Sequence, residues 1–422
     1  MQESFENSHP GEGQMNVLRL RNLALVTLVL FSITLVFIGG TPLAAPAGDR
    51  EGVATTINDL AFDLYPKLVH RNENLFFSPY SISAALAMTF AGARGDTQRQ
   101  MAKVLHFARQ GQGIQSLFGS FTRELTHSKL NGGQLKIANA LWGQTGYPFL
   151  DGFVKLVGDD YGGALRPIDF KASPEKARRK INKWVEDRTQ EKIKDLIKPG
   201  LIDTSTRLVL TNAIYFKGKW SKKFDKGKSK EAAFSLLDGA EIKVPMMRQT
   251  DKFRYLKGNG FQVLELPYEG DELSMVVLLP DKPRGIEDFE KSVTREKLTA
   301  WLGKLRRQKV AVYLPRFKIS TPTYRLDRAL KSLGMTDAFS LLRADFSGMT
   351  GKKDLYVGAV LHKGYVDVNE EGTEAAASTA VVMVRSSRPA PIPEFRADHP
   401  FMFLIRHKSS NCILFLGRFC KP

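Results

Sequence analysis

One tract near the C-terminus constrains this chain more than any other: Glu370-Glu371-Gly372-Thr373-Glu374-Ala375-Ala376-Ala377-Ser378-Thr379-Ala380. A run of small side chains buries too little apolar surface to build a core of its own. Its alanines suit a surface helix, and its glycine suits a flexible linker. On either reading the tract depends on what the rest of the chain builds around it.

That remainder is globular. The chain has 422 residues, 43% hydrophobic and 25% charged, enough to bury one large core or two small ones. From Glu51 to Pro422 helical and strand periodicities alternate without repeat, low-complexity tract or interior linker, which predicts a single mixed domain. Ser78 before Pro79 predicts a helix start, since serine caps free N–H groups and proline is tolerated at the first helical position. Ile82, Leu86 and Phe90 then share a face, with Gly92 and Gly95 as the stop. Leu208 to Phe216, Met275 to Leu279, Val310 to Leu314 and Ile413 to Leu416 read as buried strands, and Ile181 to Leu196 and Glu296 to Arg307 as helices.

The N-terminus reads as a targeting segment. Leu23 to Ile38 carries no charge, follows Arg19 and Arg21, and leads to Ala45-Pro46-Ala47, whose small residues suit signal cleavage after Ala47. Residues 1–47 are therefore expected to be a signal peptide, with Met15 as an alternative start and an uncleaved signal anchor as the alternative reading. In both cases the body faces outward, and the expected location is secreted and extracellular. Cys412 and Cys420 flank an apolar segment that, extended at ~3.3 Å per residue, holds them about 26 Å apart. That is far beyond disulfide reach, so both are expected unpaired unless a bend joins them. The formal charge is +18, and +19 once residues 1–47, with two Arg and three Glu, are removed. Polyanions are plausible partners for such a surface.

Enzyme signatures are missing from the sequence. It contains no HExxH, GxSxG, P-loop or GxGxxG, and its seven histidines lack ligand spacing, so neither catalysis nor a metal or other cofactor is expected. Instead, a series of short motifs runs in order along about 360 residues: Asn74 with Ser78-Pro79 and Ser81; Gly92-Ala93 with Gly95 and Thr97; Thr211-Asn212-Ala213 with Phe216, Gly218 and Trp220; and Leu266-Pro267-Tyr268. Leu314-Pro315-Arg316-Phe317, Leu333-Gly334-Met335 with Phe339, Asp345-Phe346-Ser347, His362-Lys363, His399-Pro400-Phe401 and Gly417-Arg418 complete it. With the small-residue tract, these resemble the serpin (serine protease inhibitor) family, and the tail resembles secreted, tick-like serpins of blood-feeding arthropods. The resemblance implies an α+β body, residues 48–422, with three β-sheets, eight or nine helices and an exposed reactive-centre loop at about 370–393. A metastable monomer would be cut once in that loop, trap the protease covalently and insert the hinge as an extra strand.

Side-chain parity tests that mechanism, because alternate residues of an inserted strand face opposite sides. Along the hinge, Glu371 to Thr379, the set Thr373, Ala375, Ala377, Thr379 is small or β-branched, while Glu374, Ala376 and Ser378 share the other parity with Gly372. If the first set faces the core, insertion buries no unpaired charge. By motif match, Ser78, Ser81, Asn212 and His362 form a buried polar cluster beneath the opening sheet, and Trp220 and Glu370 stand where insertion begins.

The bait bond stays open between two choices. Arg385-Ser386 offers a guanidinium to the acidic pocket of a trypsin-like protease, whereas the customary count from Glu370 gives Ser386-Ser387 and an elastase-like or other target. Arg388 precedes Pro389, a poor scissile partner. Lys304, Arg306, Arg307 and Lys309, near the end of a predicted helix, resemble the heparin site of protein C inhibitor-like members, which implies a glycosaminoglycan modulator. Lys217 to Lys230 adds seven lysines against one Asp225. Nucleic acid is not expected, since no aromatic residue interleaves the charges of Lys304 to Lys309. The alternative to a protease trap is a non-inhibitory serpin acting as ligand carrier or chaperone.

Overall fold

The computed structural model describes residues 47–107, 114–127, 133–161, 165–373 and 392–422. The leader residues 1–46 and the loop 374–391, with Arg385, Ser386 and Ser387, lie outside the described residues. So do hinge residues Glu374, Ala375, Ala376, Ala377, Ser378 and Thr379.

Among the described residues, ten α-helices pack on two hydrogen-bonded sheets, an α+β serpin fold. The seven-stranded sheet runs Phe317–Ser320, Ala359–Asn369, Gly372–Thr373, Leu208–Lys219, Gly133–Gln144, Leu165–Ile168, with Tyr324–Arg325 on the second strand. The nine-stranded sheet has two parts joined by the 17-residue strand Glu241–Lys257. Its first residues, Glu241 to Met246, pair with Lys230–Ser235, its last, Arg254 to Lys257, with Phe261–Pro267, and Met246 to Tyr255 pairs with Arg306–Pro315, so two of the three expected sheets appear joined as one.

Leu208–Lys219 shows why an unbroken apolar run makes a strand here. Its even positions Leu208, Leu210, Ile214 and Phe216 join the main core, and its odd positions Val209, Ala213 and Tyr215 join a second core under the helix Pro174–Arg188. Both faces are covered, so alternation of polarity disappears. Ile181 and Val185 of that helix are fully buried on the sheet, each burial stabilising by about 1.5–3 kcal/mol.

The helix Pro79–Gly92 starts as its sequence predicts: Ser78 is extended, and its side chain accepts the N–H of Ser81. It is buried on nearly every side, not on one face. Gly95, at φ +54°, opens the next helix, Gly95–Val104, instead of closing this one. Cys412 and Cys420 are free, buried, and separated by the strand Ile413–Phe419.

Candidate functional site

The centre of the seven-stranded sheet is a zipper with one open end. Leu208–Lys219 and Ala359–Asn369 pair in parallel from Val209 with Ala359 up to Tyr215 with Tyr365. Beyond that point a short third strand, Gly372–Thr373, stands between them, with Thr373 opposite Gly218 on one side and Val368 on the other. The chain reaches this slot through a turn at Glu370-Glu371 that only glycine can complete. Gly372 has φ +153°, and a Cβ there would lie 2.0 Å from the Gly218 carbonyl oxygen.

Thr373 is fully buried, and its hydroxyl is 2.8 Å from that of Tyr268. Tyr268 belongs to the main core, so position 373 points into the body of the protein. Tyr268 stacks on Trp220 at 4.7 Å between ring centroids, a contact of about 0.5–1.5 kcal/mol beyond area burial. Trp220 in turn ties down the turn: its indole N–H donates to the Asn369 carbonyl at 2.9 Å and its backbone N–H to the Glu371 carbonyl at 2.9 Å. Phe224 N–H donates to the Glu370 carbonyl at 2.9 Å.

Both carboxylates of the turn are sequestered, each with a side chain 5% exposed. Glu370 lies 3.9 Å from Arg316, and Glu371 lies 3.0 Å from Lys223 and 3.4 Å from Lys226. Burial pushes the Glu371 carboxyl up, but the hydrogen bonds and charges of Lys223 and Lys226 outweigh it and hold the group below its ordinary value.

Further down the same seam lies a second, wholly polar knot. Asn139, Asn212 and His362 sit side by side on three adjacent strands. The Asn212 amide donates to Ser81 Oγ at 2.6 Å and to Asn139 Oδ1 at 2.7 Å, while Ser81 Oγ donates to Asn139 Oδ1 at 2.9 Å. Ser78 Oγ donates to the Leu414 carbonyl at 2.6 Å, and Ser78 N–H donates to His362 Nε2 at 3.2 Å. Since Nε2 accepts, the ring proton sits on Nδ1 and faces Asn212 Oδ1. Burial pushes the His362 pKa down to about 3, so the ring is neutral. Separating the two central strands breaks the His362–Asn212 contact directly.

Asn139 was not expected here. Its sequence neighbours give no signal, because it meets Asn212 only through a strand pairing 73 residues away. Tyr268, Lys223, Lys226 and Arg316 were likewise missed as partners of the hinge. Of the basic residues, Lys304 ends the helix Arg295–Lys304, but Arg306, Arg307 and Lys309 lie on the strand Arg306–Pro315, whereas the predicted helix ran on to Arg307. Their strand conformation is fixed by pairing with Tyr255, Arg254 and Lys252. All four are exposed, with alternate residues turned to opposite faces.

A sheet holding the first residues of a small-side-chain tract at its open end, above a closed polar knot, defines a protein of the serpin kind. The comparisons agree: residues 55–422 match the family described as Serpin (serine protease inhibitor), and the chain belongs to that family. It is 47% identical over 382 residues to leukocyte elastase inhibitor of Bos taurus, covering 88% of this chain and all of that protein. It is 45% identical over 364 residues to serpin B6 of Macaca fascicularis, covering 83% of this chain and 94% of that protein. Uncleaved ovalbumin superposes with a TM-score of 0.80 at 33% identity, covering 88% of this chain and all of that one. These vertebrate relatives lend nothing to the tick-like resemblance. They also overturn the expected secreted, extracellular location, because leukocyte elastase inhibitor and serpin B6 are intracellular clade B serpins.

Proposed function

We propose that the chain inhibits a serine protease as a suicide substrate: one bond of the loop after Thr373 is cut, and the freed hinge runs down the seam between Leu208–Lys219 and Ala359–Asn369. The carrying observation is the pair Gly372–Thr373, already strand-paired on both sides where those two strands part. Attack by the protease serine on the bait carbonyl forms an acyl-enzyme and releases the amine of the next residue. Insertion then carries the acylated enzyme away before water completes the cycle. Below the mouth, the His362–Asn212 contact is the latch that insertion must open.

Two lines of support diverge on the target. Arg385 suits a trypsin-like pocket, and the name of the bovine relative favours an elastase-like enzyme, for which Ser386 is the fitting bait residue. Incubation with trypsin and with leukocyte elastase, followed by boiling in detergent, is expected to leave a covalent adduct with at least one of them. Mass spectrometry then reads the bond, and Arg385→Ala is expected to lower the trypsin rate at least 100-fold while sparing elastase. Clean cleavage without adduct by both enzymes would sink the inhibitor reading and leave the ligand-carrier or chaperone alternative.

For the polyanion reading we retain Lys304, Arg306, Arg307 and Lys309 as a candidate heparin-like site, although they span a helix end and a strand. Replacing all four by alanine is expected to lower the salt needed for elution from heparin resin, because fewer counterions are released on binding. Elution of the parent chain below physiological salt would remove the idea.

A further inference from the structure

A small cavity opens where the long strand Glu241–Lys257 is flanked by Phe261–Pro267 and Arg306–Pro315. It measures about 250 Å³, and its wall includes Lys222, Lys252, Arg254, Glu265, Arg307 and Lys408. That is below the ~300–1,000 Å³ of drug-sized pockets, so its occupant is a molecule of few atoms. The wall has two chemically opposed halves. In the first, strand pairing sets Arg254 directly opposite Arg307 and Lys252 directly opposite Lys309, all on one face. Like charges in direct opposition are destabilising. Lys222 and Lys408 are answered by Asp251 at 2.5 Å and Asp271 at 2.6 Å, whereas Lys252 and Arg307 form no ion pair among the described residues. In the second half, Glu265 stands opposite Arg254 on the next strand, with its side chain 2% exposed. Its Oε1 accepts from Ser274 Oγ and from Arg406 Nη2, both at 2.7 Å. Its Oε2 accepts no hydrogen bond, although Arg254 Nε lies 3.4 Å away. Burial pushes this carboxyl up, but Arg406, Ser274 and Arg254 outweigh it and hold the group below its ordinary value, so it is charged. A buried charged oxygen without a donor is rare in a folded protein.

We propose that this cavity binds a small phosphomonoester that carries an ammonium group, the phosphate bridging Arg307, Arg254 and Lys252 and the ammonium donating to Glu265 Oε2. A phosphate dianion between the opposed arginines turns their repulsion into two attractions, and guanidinium forks suit its oxygens. Arg254 is the part that moves: its side chain is 42% exposed, and turning toward the phosphate gives up a contact that lacks a hydrogen bond and admits the ammonium to the carboxylate. A simple anion would satisfy the basic half and leave Glu265 without a donor. A simple amine would face the surplus of bases. Only a ligand with both charges answers both halves. The strands set its length: they lie ~4.8 Å apart, so a phosphate midway between Arg254 and Arg307 stands about 7 Å from the Glu265 strand. Subtracting one hydrogen bond of about 2.8 Å leaves roughly 4–5 Å between phosphorus and nitrogen, the span of an aminoethyl phosphate.

Calorimetric titration of the full chain with O-phosphoethanolamine is expected to show saturable one-to-one binding. It should be at least tenfold tighter than with propyl phosphate, which keeps the shape and lacks the ammonium, or with inorganic phosphate. Arg307→Ala, on an exposed strand position, is expected to weaken binding at least tenfold, and Arg307→Lys to recover part of the loss. In Glu265→Gln the preference over propyl phosphate is expected to vanish. That variant also disturbs the buried pair with Arg406, and if it fails to fold, the two ligands still read the ammonium contact in the parent chain. Glycerophosphoethanolamine, a diester with one negative charge in place of two, is expected to bind several-fold more weakly. No saturable heat, equal affinity for O-phosphoethanolamine and propyl phosphate, or an affinity unchanged in Arg307→Ala would each overturn the proposal. Equal or tighter binding of the diester would overturn the choice of a monoester and point to a lipid headgroup. No protease enters these titrations, so their failure is distinct from failure of the inhibitor reading.

Discussion

Thr373→Arg is expected to convert the chain from a trap into a substrate: the protease cuts the loop at an undiminished rate, yet the detergent-stable adduct falls below about one-tenth of the parent yield. The reason lies in the slot. Thr373 is fully buried between Gly218 and Val368, with its hydroxyl on Tyr268 and its side chain directed at the main core. A guanidinium there meets Gly218, Val368 and Tyr268, none of them a carboxylate, and desolvating an unpaired charge costs several kcal/mol. Insertion races against hydrolysis of the acyl-enzyme, and each ~1.4 kcal/mol added to the insertion barrier slows it tenfold. Two or three kcal/mol therefore hands the race to water. Ala376→Arg, of the opposite parity in the sequence, is expected to keep adduct yield within about threefold, because its side chain would face outward from an inserted strand. Gel densitometry of adduct against cleaved chain measures both. Equal losses in the two variants would show that parity does not govern insertion.

How much of this was legible before the structure depends on the range of the interactions involved. Local chemistry read through cleanly at Ser78-Pro79, where the cap and the first helical residue are neighbours, and along Leu208 to Phe216, where burial on both faces leaves an unbroken apolar run. The stretch Ile181 to Leu196 misled for a physical reason. Ile193, Leu196 and Ile197 are buried in the same cluster as Ile181 and Val185, so their spacing records burial on one sheet. The backbone leaves the helix after Arg188, with Gln190 at φ +52° and Glu191 at φ +59°. Arg306 and Arg307 misled in the opposite way. Nothing in those residues favours a strand, and only pairing with Lys252 to Tyr255 makes one. The hinge lay between these cases: parity was readable from residue size, but the partners that hold it, Tyr268, Lys223, Lys226 and Arg316, come from three distant segments.

Mild acid should expose the polar knot as a proton-sensitive element. His362 is held neutral by burial with a pKa of about 3, against 6.5 for the free side chain, and burial together with the charges of Arg50 and Arg406 lowers His407 to about 4. Between those values the unfolded chain takes up protons that the folded chain refuses, so stability falls as pH drops below 6.5. The loss is about 1.4 kcal/mol per pH unit for each ring, hence roughly 2 kcal/mol apiece at pH 5. The carboxylates whose pKa values lie below their ordinary values, Glu265 and Glu371 among them, lose their contributions only as pH falls through the ordinary carboxylate range, and Glu290, whose carboxyl burial pushes up, offsets part of the fall. Geometry reinforces the effect at His362: Nε2 accepts from the Ser78 N–H, so a proton added there would set two donors against each other. The urea midpoint of the parent chain is thus expected to fall between pH 7.5 and 5.0 by the equivalent of about 4 kcal/mol. His362→Gln removes one titrating ring and is expected to halve that fall, while lowering stability at pH 7.5 by about 1–3 kcal/mol, because Asn212 Oδ1 and Ser78 N–H cannot both keep partners of the same geometry. A variant that retains the full pH dependence would place the acid sensitivity elsewhere. The added proton sits on Nε2, so it sets the ring against the Ser78 N–H and leaves the Nδ1–H donation to Asn212 Oδ1, the contact between the two strands, in place.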